Sequence, residues 1–193
     1  MENLKVSNLN QEKKLPSNVE AEQALLGSVL VNNDIIDEVS NITNHNEFYD
    51  PLHSKIYSSI ENLHNKGMIA NPITLKNFFE KDEALLEMGG TEYLVKLTRF
   101  SSSTKQSIDY AKIIHEKFVK RELIKISENL SDDAIDEAVE KTGENIIQDT
   151  EKSLFDLAER GTFHQSFLKF DQALDQTIQM ATNAMKNDQG IVG

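Results

Sequence analysis

Apolar side chains recur at helical spacing along most of this chain. The clearest case is residues 51–66, where four apolar residues are separated by four, four and three positions and so share one face of an α-helix. These residues are Leu52, Ile56, Ile60 and Leu63. No segment alternates apolar and polar residues between hairpin turns, as a half-buried strand would. The pattern therefore predicts an all-α fold.

The first part of the chain, residues 15–105, is predicted to form a small globular helical head. Its helices are expected near residues 18–31, 35–39, 51–66, 74–80 and 91–100. Asp50 and Pro51 form a typical helix start, with aspartate as the cap and proline in the first turn. Gly67 is suited to end the same helix. Between helices, Phe48 is expected to anchor a polar loop.

The first predicted helix carries a strong start signal and one anomaly. Ser17 can accept hydrogen bonds from the exposed N–H groups of the first turn, and Glu20, three residues later, can bond back to the cap. Gly27 lies inside the helix, where glycine costs about 1 kcal/mol relative to alanine. We therefore expect another helix to approach closely at Gly27.

A long antiparallel helical hairpin is predicted over residues 106–161. Its two helices, near 108–130 and 144–160, carry apolar stripes with heptad-like spacing. The stripes are Val119, Leu123, Ile126 and Leu130 in the first helix, and Ile147, Thr150, Leu154 and Leu157 in the second. The first helix is locally basic, whereas residues 132–160 contain ten Asp or Glu and three Lys or Arg. This contrast in charge favours pairing of the two helices.

The last part of the chain, residues 162–193, is predicted to be a separate linker with an amphipathic helix over 166–186. One clean apolar face runs along this helix. It consists of Phe167, Phe170, Leu174, Ile178, Ala181 and Met185. The face can fold back on the preceding domain, or it can dock on another subunit or on a further domain.

Composition limits the function classes. The 193 residues carry a formal net charge of −12 and no cysteine, so DNA binding by this chain itself is disfavoured and disulfides are excluded. Residues 1–14 lack the apolar core of a signal peptide and are predicted to be a disordered tail. No apolar run approaches the roughly 20 residues of a membrane span. We expect a cytoplasmic protein that makes no membrane contact.

Candidate chemistry is weak throughout the sequence. There is no phosphate-binding loop, and His115-Glu116 begins a zinc motif but has Val119 in place of the second histidine. His53 and His64 are roughly 16 Å apart along one helix, too far to share a metal. We expect them at the surface or at the edge of the core. The sequence thus predicts no catalytic residue, no metal ligand and no cofactor site in this chain.

Five segments, in this order, resemble one known family. They are LPSNVEAEQALLGSVL (15–30), EFYDPLHSKIYSSIENLHNKG (47–67), NPITLKNFFEK (71–81), MGGTEYLVKL (88–97) and IDYAKIIHEKFVKRELI (108–124). Each segment is weakly specific alone, but the order and spacing together are specific. The chain resembles, over residues 15–193, the N-terminal domain and linker helix of DnaB-type replicative DNA helicases.

The resemblance implies a role in assembly. In this family the region precedes a RecA-like ATPase domain that carries the phosphate loop, ATP and Mg, and the closing GIVG resembles the sequence just before that domain. We therefore expect a fragment that ends at the linker. The full-length protein would unwind duplex DNA at the replication fork, whereas this fragment alone would not be catalytic.

The family also implies specific partners. The chain would form a collar by self-association, as a dimer, a trimer of dimers or a hexamer, and would dock the C-terminal domain of primase. The apolar face of the linker helix would pack on the motor domain of a neighbouring subunit, and DNA would be bound mainly through the absent domain.

The candidate interface residues of the hairpin are Ile114, Phe118, Leu123, Ile126, Leu154 and Leu157. For each of them, a place in the intramolecular core is an equally good interpretation. Two other functions stay open at this point: an unrelated all-α adaptor for protein–protein contacts, and a small helical hydrolase. A measured mass in solution separates these alternatives, because the collar must self-associate through the hairpin.

Overall fold

The computed structural model of this chain describes residues 14–79, 82–136 and 142–159. The described residues form helices and connecting turns, with no strand among them, which confirms the all-α prediction. The named helices are α1 (Val19–Val31), α2 (Ile35–Val39), α3 (Pro51–Asn65), α4 (Pro72–Phe79), α5 (Glu83–Glu87), α6 (Thr91–Thr98) and α7 (Thr104–Ile135). A 3₁₀ turn spans His45–Glu47, and a further helix, α8, spans 143–159.

Helix α1 begins one residue later than the sequence predicts. Its cap is Asn18, whose side chain accepts a hydrogen bond from the backbone N–H of Ala21 at 3.0 Å. The predicted cap Ser17 is therefore wrong, and so is the capping box, because Ala21 and not Glu20 stands three residues after the true cap. The start of α3 is confirmed, since Asp50 accepts from the N–H of Leu52 at 2.8 Å.

The close approach expected at Gly27 is confirmed. In α1, Gly27 lies directly against the end of α6, where a Cβ atom at position 27 would be 2.1 Å from the carbonyl oxygen of Leu97 and 3.2 Å from the backbone nitrogen of Ser101. Next to it, the hydroxyl of Ser28 accepts from the backbone N–H of Ser102 at 2.9 Å. Only glycine, which has no Cβ atom, allows the backbones of α1 and α6 to approach each other this closely.

Helices α1, α3 and α6 surround the core of the head. The largest fully buried apolar side chains include Leu25 and Leu26 from α1, Ile56 and Ile60 from α3, and Leu94 and Leu97 from α6. Phe48 anchors its loop as expected, with its ring centroid 4.9 Å from that of Tyr57. The packing of three helix faces around one cluster explains why the apolar residues in these segments recur with a helical period.

The chain forms two compact units, which divide between Arg121 and Glu122. We call the described residues up to Arg121 the head, and those from Glu122 onward the hairpin unit. The predicted end of the head was residue 105, but Ala111 and Ile114 of α7 are buried in the head's core. The first turns of α7 therefore belong to the head, and the assignment of Ile114 to a hairpin interface is corrected.

The hairpin unit contains the second part of α7 and α8. Ile126 and Asn129 of α7 line the same small cleft as Ser153 and Leu157 of α8, so the last turns of α8 lie beside the turns of α7 that are far from their connection. The two helices are therefore antiparallel, as predicted. Leu157 is 8% exposed and belongs to the inner face of this pair.

Two further boundaries differ from the prediction. Helix α5 is unpredicted and forms after Asp82, which accepts from the N–H of Leu85 at 3.0 Å. Helix α7 runs through Asp132 and Asp133, where a turn was predicted, because residues 131–135 contain no glycine or proline to end it. The predicted tail and the linker helix over 166–186 lie outside the described residues, apart from residue 14.

Candidate interaction surfaces

A buried polar network joins three of the sequence segments that resemble the helicase family. Glu22 of α1 and His53 of α3 are almost completely buried, and the Oε2 atom of Glu22 lies 2.8 Å from Nδ1 of His53. On its other side, Nε2 of His53 lies 2.7 Å from the hydroxyl of Tyr93 in α6. Burial of the Tyr93 side chain raises the pKa of its hydroxyl.

The same network positions the loop before α3. The carboxylate of Glu22 accepts hydrogen bonds from the backbone N–H groups of Tyr49 at 2.6 Å and Asp50 at 3.3 Å. A buried carboxylate is stable only when such donors surround it. Glu22 and His53 lie in the core, and only Tyr93 also borders a surface cleft, beside α6. The chemistry of the network is that of a structural support.

The burial of His53 contradicts the expected surface or core-edge position. His53 is 0% exposed because it lies three residues before Ile56 and seven before Ile60, on the apolar face of α3. The spacing of His53 from these two isoleucines can be read from the sequence, and it indicates a buried position. Its partners Glu22 and Tyr93 are distant in the sequence and cannot be identified from spacing alone. His64 is half-buried, and its Nε2 lies 2.8 Å from Oδ1 of Asp37.

A second polar cluster joins α7 to the loop 43–49. Glu47 is 4% exposed and accepts hydrogen bonds from the hydroxyl of Thr43 at 3.0 Å and the side-chain amide of Asn44 at 3.1 Å. Its Oε2 atom also lies 2.9 Å from Nδ1 of His115. The hydrogen bond to Glu47 raises the pKa of His115, so protonation of His115 strengthens this contact.

Arg121 completes the attachment of α7 to the head. Its guanidinium donates to the carbonyl oxygens of Pro16 at 2.9 Å and Glu47 at 2.5 Å. The guanidinium carbon also lies 5.6 Å from the ring centroid of Tyr49 and 5.9 Å from that of Phe118, within the range of cation–π attraction. Phe118, predicted at the hairpin interface, is thus a half-buried part of this junction.

Each helix of the hairpin unit exposes a pair of large apolar side chains. We define the hairpin stripe as Leu123, Leu130, Ile147 and Leu154, which are 39% to 59% exposed. The two residues on each helix are seven positions apart, so they share one helix face. Ile135 and Phe155 of the same unit are also exposed, at 75% and 62%. Exposed apolar side chains in this number are typical of a surface that binds another protein.

The structure separates the six predicted hairpin residues into three groups. Leu123 and Leu154 are exposed on the hairpin stripe, and Ile126 is half-buried beside the cleft between α7 and α8. Leu157 is covered inside the hairpin unit, whereas Ile114 and Phe118 pack in the head. The predicted linker face of Phe167, Phe170, Leu174, Ile178, Ala181 and Met185 lies outside the described residues.

Within the described ranges, no group of three or more His, Cys, Asp or Glu side chains is placed to hold a metal ion. None of the helices in the described part of the chain is long and apolar enough to cross a membrane.

A helical head followed by a hairpin with an exposed apolar stripe defines a class of protein that is suited to contacts with other chains. The family model for the DnaB-like helicase N terminal domain matches residues 14–116. This match covers more than half of the chain, and the chain belongs to that family. The membership decides against an unrelated all-α adaptor and against a separate family of helical hydrolases.

Curated relatives agree with this assignment. The chain is 41% identical over 179 residues to the replicative DNA helicase DnaB of Rickettsia bellii, which covers 93% of this chain and 36% of the relative. It is 29% identical over 156 residues to the replicative DNA helicase DnaC of Bacillus subtilis, covering 80% of this chain and 34% of the relative. The chain therefore spans little more than a third of the length of these relatives.

Solved structures show the same fold. The N-terminal domain of DnaB helicase from Mycobacterium tuberculosis matches with a TM-score of 0.67 and 24% identity, covering 74% of this chain and 99% of that one. A structure of a DnaB-like replicative helicase and its interactions with primase matches with a TM-score of 0.57 and 23% identity, covering 80% of this chain and 35% of that one. At these identities the likeness establishes the fold alone.

Proposed function

We propose that this chain is the N-terminal collar of a replicative DNA helicase and serves self-association and primase docking. Family membership supports the helicase context. The observation that carries the assembly role is the hairpin stripe, whose leucine and isoleucine side chains are 39% to 59% exposed and therefore lack full cover in a single copy. A second copy supplies that cover when the stripes of two hairpins pack together.

The hydrophobic effect is large enough for such pairing. Burying a Leu or Ile side chain completely contributes roughly 1.5–3 kcal/mol. The stripe offers four such side chains on each copy, already partly buried in the monomer, against an association cost of roughly 4–15 kcal/mol. This balance supports dimers whose population depends on protein concentration.

The remaining partners follow from the family and not from the described contacts. Primase docking is supported by the relative solved with its interactions with primase. ATP and Mg would bind a motor domain outside this chain, and that domain would contact DNA, since this chain has a net charge of −12. The linker face would pack on the motor domain of a neighbouring subunit, and the protein would act in the cytoplasm.

Light scattering or sedimentation of the full chain over a range of concentrations tests the assembly role. We expect dimers or larger species, and we expect Leu123→Glu and Leu154→Glu to shift the mass to the monomer because they place charge in the paired stripe. Ile73→Glu is the matched control, since Ile73 is an 80% exposed residue of the head. A parent chain that stays monomeric at high concentration contradicts the proposal.

A pull-down with the C-terminal domain of the cognate primase tests the docking role separately. The parent chain and the Ile73→Glu control should both retain primase. Failure of both to retain primase, with assembly intact, would remove docking from the proposed function and leave the collar role standing.

A further inference from the structure

Two apolar side chains of α7 share one exposed face just beyond the head. Leu123 is 44% exposed and Leu130 is 39% exposed, and the seven positions between them correspond to about 10 Å along the helix axis. We call these two residues the α7 pair. Any segment that covers the α7 pair within one copy competes with the second copy that the proposed dimer requires.

The first described residues of the chain are anchored close to this face. The guanidinium of Arg121 donates a hydrogen bond to the carbonyl oxygen of Pro16 at 2.9 Å, and Arg121 comes only two positions before Leu123 on the same helix. Residues 1–13 precede this anchor in the sequence and lie outside the described residues. We call residues 1–13 the N-terminal segment, and its attached end lies where the α7 pair begins.

The α7 pair lies on the side of α7 opposite to Arg121. Successive residues of an α-helix are about 100° apart, which places the two members of the pair about 200° and 180° around the helix from Arg121. Helix α8 occupies one flank between these two sides, since Ile126 and Asn129 line the cleft with α8. The other flank carries Ser127, which is exposed, so a segment can pass around α7 on that flank.

The length of the N-terminal segment matches this path. An α-helix with its side chains is roughly 10–12 Å wide, so half of its circumference is roughly 16–19 Å. The five residues from Lys14 back to Leu9 span about 17 Å when extended, which is enough to bring Leu9 to Leu123. Three more residues span about 10 Å, which brings Val6 to Leu130.

The charges also favour this contact. Residues 1–14 contain three lysines and two glutamates, whereas residues 122–136 of α7 contain five Asp or Glu and one lysine. The two stretches therefore carry opposite net charges, which favours their approach. The apolar residues of the N-terminal segment, Leu4, Val6 and Leu9, can then remove the α7 pair from water.

We propose that the N-terminal segment passes around α7 and covers the α7 pair of its own copy, with Leu9 against Leu123 and Val6 against Leu130. This inference rests on the proposed pairing of hairpin stripes, because the segment and a second copy compete for the same surface. A short tether gives an effective concentration on the order of millimolar, whereas a second copy acts only at its free concentration. The segment therefore keeps dilute copies apart, and pairing prevails as the protein concentration rises.

Sedimentation of the full chain and of two triple variants tests the competition. Changing Leu4, Val6 and Leu9 together to serine should lower the apparent Kd of self-association by about tenfold or more, because the α7 pair is then free in most copies. The matched control changes three asparagines of the same segment to serine. It combines Asn3→Ser, Asn8→Ser and Asn10→Ser, keeps the apolar residues, and should associate like the parent.

A spin label on the N-terminal segment detects the contact itself. The chain contains no cysteine, so Ser7→Cys provides a single attachment point between Val6 and Leu9. In dilute protein we expect paramagnetic broadening of the methyl signals of Leu123 and Leu130. The same label in the variant that lacks the three apolar residues should leave both signals sharp. A mixture of spin-labelled copies with separate isotope-labelled copies should also leave them sharp, because the contact lies within one copy.

The two measurements separate this inference from the function on which it rests. Sharp Leu123 and Leu130 signals in the labelled chain, or equal broadening in the mixture, overturn the contact and leave the hairpin pairing intact. If the parent forms dimers and the apolar triple variant associates no more strongly, the competition is wrong. If both signals broaden but every sequence stays monomeric, the cover by the N-terminal segment stands and the proposed pairing falls.

Discussion

Gly27 lies where α1 comes closest to α6, and its missing side chain permits that approach. We expect Gly27→Ala to lower the free energy of unfolding by roughly 1–3 kcal/mol, the usual cost of overpacking. The new Cβ would lie 2.1 Å from the carbonyl oxygen of Leu97, so a backbone must move. This penalty outweighs the gain of about 1 kcal/mol that alanine brings to a helix. Urea denaturation of the two proteins measures the difference.

Gly143→Ala is the matched control for that substitution. Gly143 begins α8, and a Cβ there would meet no atom within 4 Å. The free energy of unfolding of the Gly143→Ala variant should be unchanged or slightly raised. A Gly27→Ala variant at least as stable as the parent would contradict the close approach of the two helices.

His115 should make the stability of the head depend on pH. The hydrogen bond to Glu47 raises the pKa of His115 above its usual value of 6.5 in the folded state. The stabilising effect of the pair is therefore complete below the unfolded-state pKa and is lost as the pH rises through the folded-state pKa. We expect the parent to exceed His115→Gln in unfolding free energy by more at about pH 5.5 than at about pH 8.5.

Urea denaturation at the two pH values gives this difference directly. Comparing parent and variant at each pH removes the contributions of all other titratable groups, which both proteins share. Glu47→Gln should reduce the pH dependence in the same way, because it removes the carboxylate that His115 faces. An equal difference between parent and His115→Gln at both pH values would contradict the assigned contact.

Single residues also show where the sequence stops being informative. The packing role of Gly27 is predictable because glycine is costly inside a helix. The burial of His53 is readable from its helix position, but a histidine on an apolar face predicts no particular partner. Glu22 and Tyr93 become its partners only because three helices bring them together.

At the scale of the helix, the start of α1 offers a test between two adjacent residues. Asn18→Ala should lower the free energy of unfolding by about 0.5–2 kcal/mol, the usual effect of losing a side-chain cap. Ser17→Ala should change it much less, since Asn18 and not Ser17 accepts from the N–H of Ala21. Thermal unfolding followed by circular dichroism measures both variants. A larger loss for Ser17→Ala would restore Ser17 as the cap.

The helices divide into those the sequence specifies strongly and those it does not. Helix α3 is predictable because Asp50, Pro51 and Gly67 mark its ends and four apolar residues mark its face. Helix α5 is too short to show a period, and it depends on a cap and one buried residue, Leu85. The length of α7 exceeds the prediction because its polar end has helix-forming residues and no stop signal.

At the scale of the molecule, the head should end within α7 and not before it. We expect residues 1–125 to fold cooperatively and residues 1–105 to fail to do so. The shorter piece lacks Ala111 and Ile114 from the core and the polar contacts of His115 and Arg121. These losses are large compared with a total stability of roughly 5–15 kcal/mol. Circular dichroism and proton NMR dispersion distinguish the two outcomes, and a well-folded 1–105 piece would contradict this boundary.

The candidate interface was predictable in part for the same reason. Heptad-like spacing identifies Leu123 and Leu154 as members of apolar stripes, and the structure shows both exposed. Spacing does not reveal which neighbour covers a stripe. Leu157 is buried beside the α7 residues of the hairpin unit, and Ile114 is buried in the core of the head, because the chain's own packing covers these two side chains before a partner arrives.

The junction at Arg121 has a consequence for how this protein tolerates sequence drift. Two acceptors of its guanidinium are main-chain carbonyl oxygens, those of residues 16 and 47. Every residue type provides such an oxygen, so changes of side chain at the accepting positions leave the bonds to Arg121 available. Lysine at position 121 would bring a single ammonium group in place of a planar guanidinium, whose several N–H donors can reach two acceptors at once. For these two hydrogen bonds, the side-chain requirement therefore falls on position 121 and not on the positions that accept.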